Sequence, residues 1–150
     1  MKLLRVLFSN INNKIKNNHN LKNLEKMVQE YNGSDWRNHV LFSKETYSRD
    51  IIYRNKTMEM IIISWNNNQI SGIHDHPKNG CLMKILQGEL EEHIYNDNLE
   101  TIDIKNRKKG SVGHIAGTSG LHNIVNKDNK TVSLHIYSPP NYISNKYYGK

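Results

Sequence analysis

The first part of the chain has a helical hydrophobic pattern. From Asn20, apolar residues recur at steps of three and four, which places them on one face of a helix. They are Leu21, Leu24, Met27, Val28 and Tyr31. Asn20 is a candidate N-cap, and the Asn32-Gly33 pair is a stop signal. The pattern therefore predicts one helix between Asn20 and Asn32.

A second, shorter helix is predicted directly after this stop. Ser34 is a candidate N-cap, and Asp35 would place a negative charge at the positive end of the helix dipole. Trp36, Val40 and Leu41 would then face inward as packing residues. We expect residues 1–48 to form a helical N-terminal part.

From residue 49 the pattern changes to short segments rich in β-branched residues. MEMIIISW (58–65) predicts a buried strand, and CLMKILQGELEEHIYN (81–96) predicts two strands joined at Gln87-Gly88. TVSLHIYS (131–138) alternates until Pro139-Pro140 ends it. Many short strands with close turn signals indicate a mainly β fold. We expect a small antiparallel barrel or sandwich over residues 49–140.

Composition limits the size and location of the protein. A chain of 150 residues, 36% apolar and 23% charged, fits a single domain covering 1–150. One cysteine cannot form an internal disulfide, and no segment has the ~18 consecutive apolar residues of a membrane helix. The short apolar start ends too early for a signal-peptide core. We expect a soluble, cytoplasmic monomer with no membrane partner.

The formal net charge of +7 raises the question of nucleic-acid binding. The densest basic run is Lys105–Lys109, and it contains no aromatic residue on which a base could stack. It also precedes Gly110, where a turn is expected. We interpret the run as a solvated loop and expect no nucleic-acid partner.

Candidate chemistry begins with His74 and His76, which are separated by one residue. On a strand, both imidazoles would leave the same face about 7 Å apart, given ~3.3 Å per residue, and Asp75 would point to the other face. Such a pair can bind Fe, Zn, Cu or Ni, but two structural histidines fit the same spacing. A third ligand would have to come from elsewhere, and His122 stands apart in the turn-rich segment IAGTSGLHNIVN. Four others are interpreted as surface residues: His19, His39, His93 and His114.

Two spaced motifs resemble those of the cupin superfamily. The first runs through His74, His76, position 81 and Gly88, and the second is Gly120-Leu121-His122 followed by Asn126. Most cupins have glutamate at the position of Cys81. This difference resembles the thiol dioxygenases, specifically the cysteine dioxygenase family, as do three further segments. They are YSR (47–49), Trp65 nine residues before His74, and SLHIYSPP (133–140).

The resemblance implies a cupin-type jelly roll with one mononuclear Fe(II) per chain, held by His74, His76 and His122. It implies an enzyme that oxidises L-cysteine to cysteine sulfinate with O2. Arg49 would bind the substrate carboxylate, because a planar guanidinium can donate two charge-assisted hydrogen bonds. Tyr47 and Trp65 would contribute to the substrate pocket.

The same resemblance assigns roles to His135 and Tyr137, near the end of the predicted barrel, and to Cys81. His135 would hydrogen-bond the hydroxyl of Tyr137, which would lie beside the bound substrate. Cys81 would form a thioether with Tyr137, whereas a buried free thiol is the alternative. Sequence alone leaves both states of Cys81 open.

Departures from the family pattern keep other functions open. The chain ends ten residues after Pro140, where typical members continue, and Ser144 stands where animal members have a second cysteine. One alternative is a dioxygenase of another small thiol, such as 3-mercaptopropionate or cysteamine. Another is a metal-binding cupin without activity that serves as a thiol sensor.

Overall fold

The computed structural model of the protein describes residues 2–115, 117 and 120–148. Helix α1 (Leu4–Lys16) begins the chain and buries Leu4, Leu7 and Ile11, which recur at steps of three and four. A 3₁₀ helix (Leu21–Leu24) leads directly into α2 (Glu25–Gln29), and a second 3₁₀ helix (Asp35–His39) follows. The N-terminal part is therefore helical in several short pieces, and α1 is its longest element.

The two predicted helices are only partly correct. The first is divided into a 3₁₀ turn and five α-helical residues, ends at Gln29, and receives no side-chain cap from Asn20. The second is a 3₁₀ helix without a side-chain cap from Ser34. The prediction that Leu41 faces inward was wrong, because its relative exposure is 68%. Helical spacing does not apply to Leu41, since the 3₁₀ helix ends two residues earlier.

In the part of the chain that the structure describes, ten strands form two antiparallel sheets of five strands each. The first sheet has the order β1-β2-β9-β4-β7, and the second has the order β10-β3-β8-β5-β6. In chain order the strands are β1 (Ser48–Arg54), β2 (Glu59–Trp65), β3 (Ile73–His74), β4 (Cys81–Gln87), β5 (Glu89–Tyr95), β6 (Thr101–Lys108), β7 (Val112–Ile115), β8 (Leu121–Val125), β9 (Thr131–Tyr137) and β10 (Lys146–Tyr147). The strands predicted over 58–65, 81–96 and 131–138 are all present.

The first sheet is buried on both faces, which explains the uninterrupted apolar run in β2. Met60 and Ile62 belong to a cluster with the buried side chains of α1 and α2. Ile61 and Ile63 point the other way and pack with Leu90 and Ile124 of the second sheet. Helices therefore cover one face of the first sheet, and the second sheet covers the other.

The chain passes from one sheet to the other at Gly88. This residue joins β4 of the first sheet to β5 of the second and adopts φ +74, a conformation that glycine accommodates without strain. Among the strands that the structure describes, no pairing joins the two sheets, so they are not closed into a barrel. The mainly β fold is confirmed, with two facing sheets as its core.

The interpretation of Lys105–Lys109 as a solvated loop was wrong. Residues up to Lys108 belong to the edge strand β6, and the turn comes only at Lys109 and Gly110. Arg107 is the residue of this run that does not face solvent, because its guanidinium pairs with the buried Glu92. Within the described residues, no helix is long and apolar enough to cross a membrane.

Candidate metal centre and active site

Three histidines converge between the two sheets. One ring nitrogen from each of His74, His76 and His122 lies within 4.8 Å of the other two. His74 ends the two-residue strand β3, and His122 faces it on the neighbouring strand β8. The prediction that both histidines of the pair lie on one strand was wrong, because β3 ends at His74. His76 lies two residues further on, outside any strand, and its ring still meets those of His74 and His122.

Each of these rings is oriented by a hydrogen bond at Nδ1. His74 Nδ1 lies 2.7 Å from the carbonyl oxygen of Gly72, and His76 Nδ1 lies 3.4 Å from that of Gly120. His122 Nδ1 lies 2.7 Å from a carboxylate oxygen of Glu92. Acceptors at Nδ1 hold the proton there, which leaves Nε2 as a lone pair.

The arrangement of the Nε2 atoms fits a metal ion. His76 Nε2 is buried and has no hydrogen-bond partner in the described structure, although buried polar atoms are normally satisfied. Nε2 of His74 and Nε2 of His122 face each other at 3.1 Å. Two lone pairs at that distance repel unless a cation or a proton lies between them. Three neutral imidazoles with second hydrogen bonds at Nδ1 are a common donor set for a transition metal.

Burial keeps the rings of His74 and His76 neutral. Burial and, to a smaller extent, the nearby His122 lower the pKa of His74 to about 3. The pKa of His76 is lowered still more strongly, again chiefly by burial. Neutral imidazole is the form that binds metals.

A row of three side chains crosses the first sheet beside the histidines. Tyr137 on β9 lies directly opposite Cys81 on β4 and directly opposite Glu59 on β2. Paired positions present their side chains on the same face, here the face toward the second sheet. Cys81 Sγ and the Tyr137 hydroxyl also approach the same atom, His135 Nδ1, at 3.9 and 3.2 Å. Cys81 and Tyr137 are therefore neighbours around His135.

A buried hydrogen-bond chain leads to the Tyr137 hydroxyl. Trp65 Nε1–H donates to Ser133 Oγ at 2.9 Å, and Ser133 Oγ lies 2.7 Å from His135 Nε2. Because Trp65 is only a donor, the Ser133 hydroxyl is free to donate its own proton to His135 Nε2. The neutral ring then carries its proton on Nδ1 and donates to the oxygen of Tyr137.

This chain makes Tyr137 a hydrogen-bond donor toward the cavity. Burial and the positive charge of Arg49 lower the pKa of His135, so the ring is neutral as the chain requires. Burial raises the pKa of Tyr137, and Cys81 raises it further, so the phenol keeps its proton. Burial likewise raises the pKa of the Cys81 thiol.

His74, His122 and Tyr137 line one cavity of about 300 Å³, and the buried ring of His76 lies against His74 and His122 without lining it. Arg49, on β1, lines the same cavity and lies opposite Ile63, whose side chain faces the second sheet. Tyr47 stacks on Trp65 with ring centroids 4.5 Å apart, and both line the wall near Arg49. The structure therefore brings the predicted metal, substrate and tyrosine residues around one space. Cys81 lies behind Tyr137 and is fully enclosed.

The outer wall of the cavity comes from the C-terminal segment, which we define as residues 142–147. Its Tyr142, Ile143, Ser144 and Lys146 line the cavity. Asp75, only 2% exposed, anchors the segment by accepting hydrogen bonds from four donors. They are the Tyr142 hydroxyl (3.0 Å), the Asn145 backbone N–H and side-chain amide (2.8 Å each), and the Tyr147 hydroxyl (3.4 Å).

Sequence reasoning missed several residues of the site. Asp75 was expected only to lie on the opposite face of a strand from the histidines, and its contacts with residues 142–147 carry no local signal. Ser133 lies two residues before His135, so strand alternation could have placed it on the same face. No local sequence pattern indicates the roles of Glu92 and Arg107, because these roles depend on the pairing of β5 with β6 and β8.

Glu92 is a buried carboxylate with partners on both oxygens. One oxygen accepts from His122 and the other from Arg107, at 2.7 Å in each case. Burial would raise the pKa of Glu92, but its contacts with His122 and Arg107 outweigh burial and lower it to about 2. Glu92 therefore faces His122 as a carboxylate.

Comparison with solved structures agrees with the fold. Solved structures with similar folds include a conserved protein with a double-stranded β-helix domain from Klebsiella pneumoniae, with a TM-score of 0.62 and 18% identity. That alignment covers 73% of this chain and 91% of the other. A cupin superfamily protein from Desulfitobacterium hafniense has a TM-score of 0.59 and 12% identity over 71% of this chain and 90% of its own. At these identities the likeness supports a cupin-type fold.

Sequence relatives are more specific. Cysteine dioxygenase type 1 of Danio rerio is 29% identical over 133 residues, and that of Rattus norvegicus is 29% identical over 132. Each alignment covers 81% of this chain and 66% of the relative, so the chain spans just under two thirds of the length of these relatives. The family described as cysteine dioxygenase type I matches residues 2–150. The chain therefore belongs to the cysteine dioxygenase type I family.

Proposed function

We propose that this protein is an iron-dependent thiol dioxygenase that converts L-cysteine and O2 to cysteine sulfinate, with both oxygen atoms entering the product. The observation that carries the proposal is a cluster of three imidazoles beside a single cavity that is also lined by a guanidinium and a phenol. Membership of the cysteine dioxygenase type I family supports the same reaction.

His74, His76 and His122 would hold the Fe(II). A ferrous ion bound there would supply the redox chemistry that joins O2 to the sulfur of the substrate. The three imidazoles bring no negative charge, so the site keeps its affinity for an anionic thiolate. Glu92, Gly72 and Gly120 hold the rings in place through Nδ1.

Arg49 would select substrates that carry a carboxylate. Its guanidinium can donate two parallel hydrogen bonds to a carboxylate, each charge-assisted. The stacked rings of Tyr47 and Trp65 form an apolar wall beside it, which limits the directions that the substrate can take. Cysteamine lacks the carboxylate and would bind less tightly than cysteine.

Tyr137 would act by donating its proton in a hydrogen bond. His135 fixes the direction of the phenol O–H, because Nδ1–H occupies the oxygen lone pair on the other side. A donor held at this place would stabilise negative charge that develops on the substrate sulfur or oxygen. The C-terminal segment would exclude water from the same space.

The test of the reaction is oxygen uptake coupled to product detection. Purified protein is reconstituted with Fe(II) under nitrogen and then assayed in buffer that contains O2. It should consume O2 only when L-cysteine is added, and mass spectrometry should detect one cysteine sulfinate per O2 consumed. Removal of iron with a chelator should abolish both signals. Oxygen uptake without sulfinate, or no uptake, would contradict the proposal. Cysteine binding without sulfinate would instead support the sensor function.

The substrate is tested through Arg49→Gln. Loss of one to two charge-assisted hydrogen bonds at about 1.5–3 kcal/mol each should lower kcat/KM for L-cysteine by at least tenfold. Activity with cysteamine should change little, because it has no carboxylate for Arg49 to bind. Arg5→Gln, on the exposed face of α1, is the matched control. Equal losses of kcat/KM with L-cysteine and cysteamine would contradict the role of Arg49 in binding the substrate carboxylate.

Cys81 and Tyr137 are proposed to form a thioether during turnover. The thiol S–H and an aromatic C–H bond would break, the C–S bond would form, and O2 would accept the two electrons and two protons. Intact mass should fall by the mass of two hydrogens, and digestion should yield one linked peptide containing both residues. Cys81→Ala is the control that cannot form the link. Unchanged mass after prolonged turnover would show a free thiol.

A further inference from the structure

Arg107 extends from the edge of the second sheet into the space between the sheets. It lies on β6 opposite Leu90 of β5, and Leu90 packs between the sheets. Its guanidinium donates two hydrogen bonds to one oxygen of Glu92, from Nη2 at 2.7 Å and from Nε at 3.0 Å. The side chains are 17% and 4% exposed. This is an enclosed ion pair with defined geometry, unlike a solvated surface pair.

The second oxygen of Glu92 reaches the candidate metal centre. Glu92 is paired with Ile124 on β8, and His122 lies two residues before Ile124 on the same face. The other carboxylate oxygen therefore meets His122 Nδ1 at 2.7 Å. Because the carboxylate is planar and rigid, the guanidinium that fixes one oxygen also fixes the direction of the other.

Gly113 provides the space that the guanidinium occupies. It lies on β7, at the edge of the first sheet, opposite Met83. A Cβ atom at this position would lie 2.6 Å from the central carbon of the Arg107 guanidinium and 2.6 Å from one of its terminal nitrogens. These distances are far shorter than a carbon contact allows. A side chain at 113 would therefore displace the guanidinium from Glu92.

We propose that Arg107 and Gly113 are positioning residues that act through Glu92 to hold His122 in the orientation and tautomer that bind the metal. The inference rests on the proposed metal site. Neither residue touches the three histidines, so both act at a distance. Residues that orient a ligating histidine commonly change metal affinity by about 10–100-fold when they are replaced.

The experiment measures metal retention directly. Fe(II)-loaded protein is titrated anaerobically with a chelator, and the iron that remains bound is quantified. Arg107→Gln and Gly113→Ala should each weaken iron binding by about 10–100-fold. Arg107→Lys should give an intermediate loss, since an ammonium keeps the charge but not the paired donors. Glu91→Gln, on the same strand as Glu92, changes only the contacts of Glu91 with His93 and the exposed Lys127, and iron binding should stay within about twofold of wild type.

The double variant gives a sharper test, because both changes should act through the same contact. Once Arg107 is replaced by Gln, Gly113→Ala should add little further loss of iron, so the two effects should be strongly non-additive. Thermal unfolding in excess chelator reports on stability without metal. Lower apo stability with wild-type iron retention would show a purely structural role and overturn the inference.

The result also separates this inference from the proposed function. Wild-type protein that retains no iron would contradict the metal site, and the role of Arg107 would fail with it. Wild-type protein that retains iron while the Arg107 and Gly113 variants match it would contradict only the positioning role. Additive losses in the double variant would contradict the action of Gly113 through Arg107.

Discussion

At the scale of single residues, Ser133 joins Trp65 to His135 through its hydroxyl group. It accepts a hydrogen bond from Trp65 Nε1 and contacts His135 Nε2, and all three side chains are buried. The hydroxyl thereby determines which nitrogen of His135 carries the proton. Tyr137 depends on this choice, because His135 Nδ1 must donate for the phenol to donate in turn.

We expect Ser133→Ala to lower both stability and activity. Two buried polar atoms would lose their partner, at a cost of about 1–3 kcal/mol in the free energy of unfolding. The ring of His135 would also be free to change tautomer, so kcat should fall while the KM for cysteine changes little. Urea unfolding and steady-state kinetics measure these effects. Ser9→Ala, on the exposed face of α1, should leave both values unchanged.

At the scale of elements, the last short strand owes its position to Asp75. Strand β10 has only two residues and pairs with the equally short β3, which is too little backbone pairing to hold a segment by itself. The hydrogen bonds to Asp75 provide the additional contacts that hold the segment in place. Because Asp75 lies between His74 and His76, the cavity wall and the candidate metal site are built on the same turn.

We expect Asn145→Ala to loosen the C-terminal segment without affecting metal binding. It removes the side-chain amide that donates to Asp75 and leaves the histidines unchanged. Hydrogen exchange of a peptide covering 142–147 should become faster, and the KM for cysteine should rise severalfold. Tyr148→Phe is the control, because Tyr148 is 81% exposed. Exchange at the wild-type rate would show that the segment is held by other contacts.

A second junction between elements is formed by Tyr31 and Asp35. Asp35 accepts a hydrogen bond from the backbone N–H of Leu4 at 2.8 Å, so it satisfies a free donor at the start of α1. Its other oxygen accepts from the Tyr31 hydroxyl at 2.5 Å. Burial and this contact with Asp35 raise the pKa of Tyr31 well above its usual value of 10.0.

This shift predicts a specific loss of stability in alkali. Above pH 10 the unfolded chain releases the Tyr31 proton while the folded chain keeps it, so the folded state binds more protons and stability falls as pH rises. The contribution is complete below pH 10 and declines as pH approaches the folded pKa. Tyr31→Phe should be less stable at neutral pH and should show a shallower decline above pH 10 than wild type. Tyr148→Phe should follow the wild-type curve in urea unfolding.

At the scale of the whole molecule, the first sheet is the central layer. Its helix-facing side carries one apolar cluster, and its other side carries a second cluster that it shares with the second sheet. The candidate metal centre lies beside the second cluster. The packing that holds the two sheets together therefore also fixes the distance between His122 on one sheet and Tyr137 on the other.

We expect Ile124→Ala to destabilise the protein by about 2–5 kcal/mol, because the side chain is buried between the sheets and its loss leaves a cavity. Ile104→Ala, on the second sheet but 53% exposed, should cost less than about 1 kcal/mol. Urea unfolding compares the two. Similar losses for both would mean that the sheets are held together by other contacts.

The sequence could predict the elements whose signals are local. The β-branched run of β2, the break at Gly88 and the alternation of β9 follow from residues within a few positions of each other. Helix type was less predictable: the segment after Asn20 divided into 3₁₀ and α pieces, because packing rather than propensity sets such short helices.

Local sequence determined a mainly β fold and, through its spaced motifs, some of the residues at the cavity, among them His74, His122 and Tyr137. Only the tertiary structure decided how they are held: Glu92 behind His122, Arg107 over Gly113, and Asp75 beneath the C-terminal segment. Glu92 and His122 are 30 positions apart and Asp75 and Asn145 are 70 apart, whereas Arg107 and Gly113 are close in sequence but lie on strands of different sheets. Side-chain chemistry is written at each position, but the distance between two side chains is set by strand pairing and packing, which no local pattern encodes.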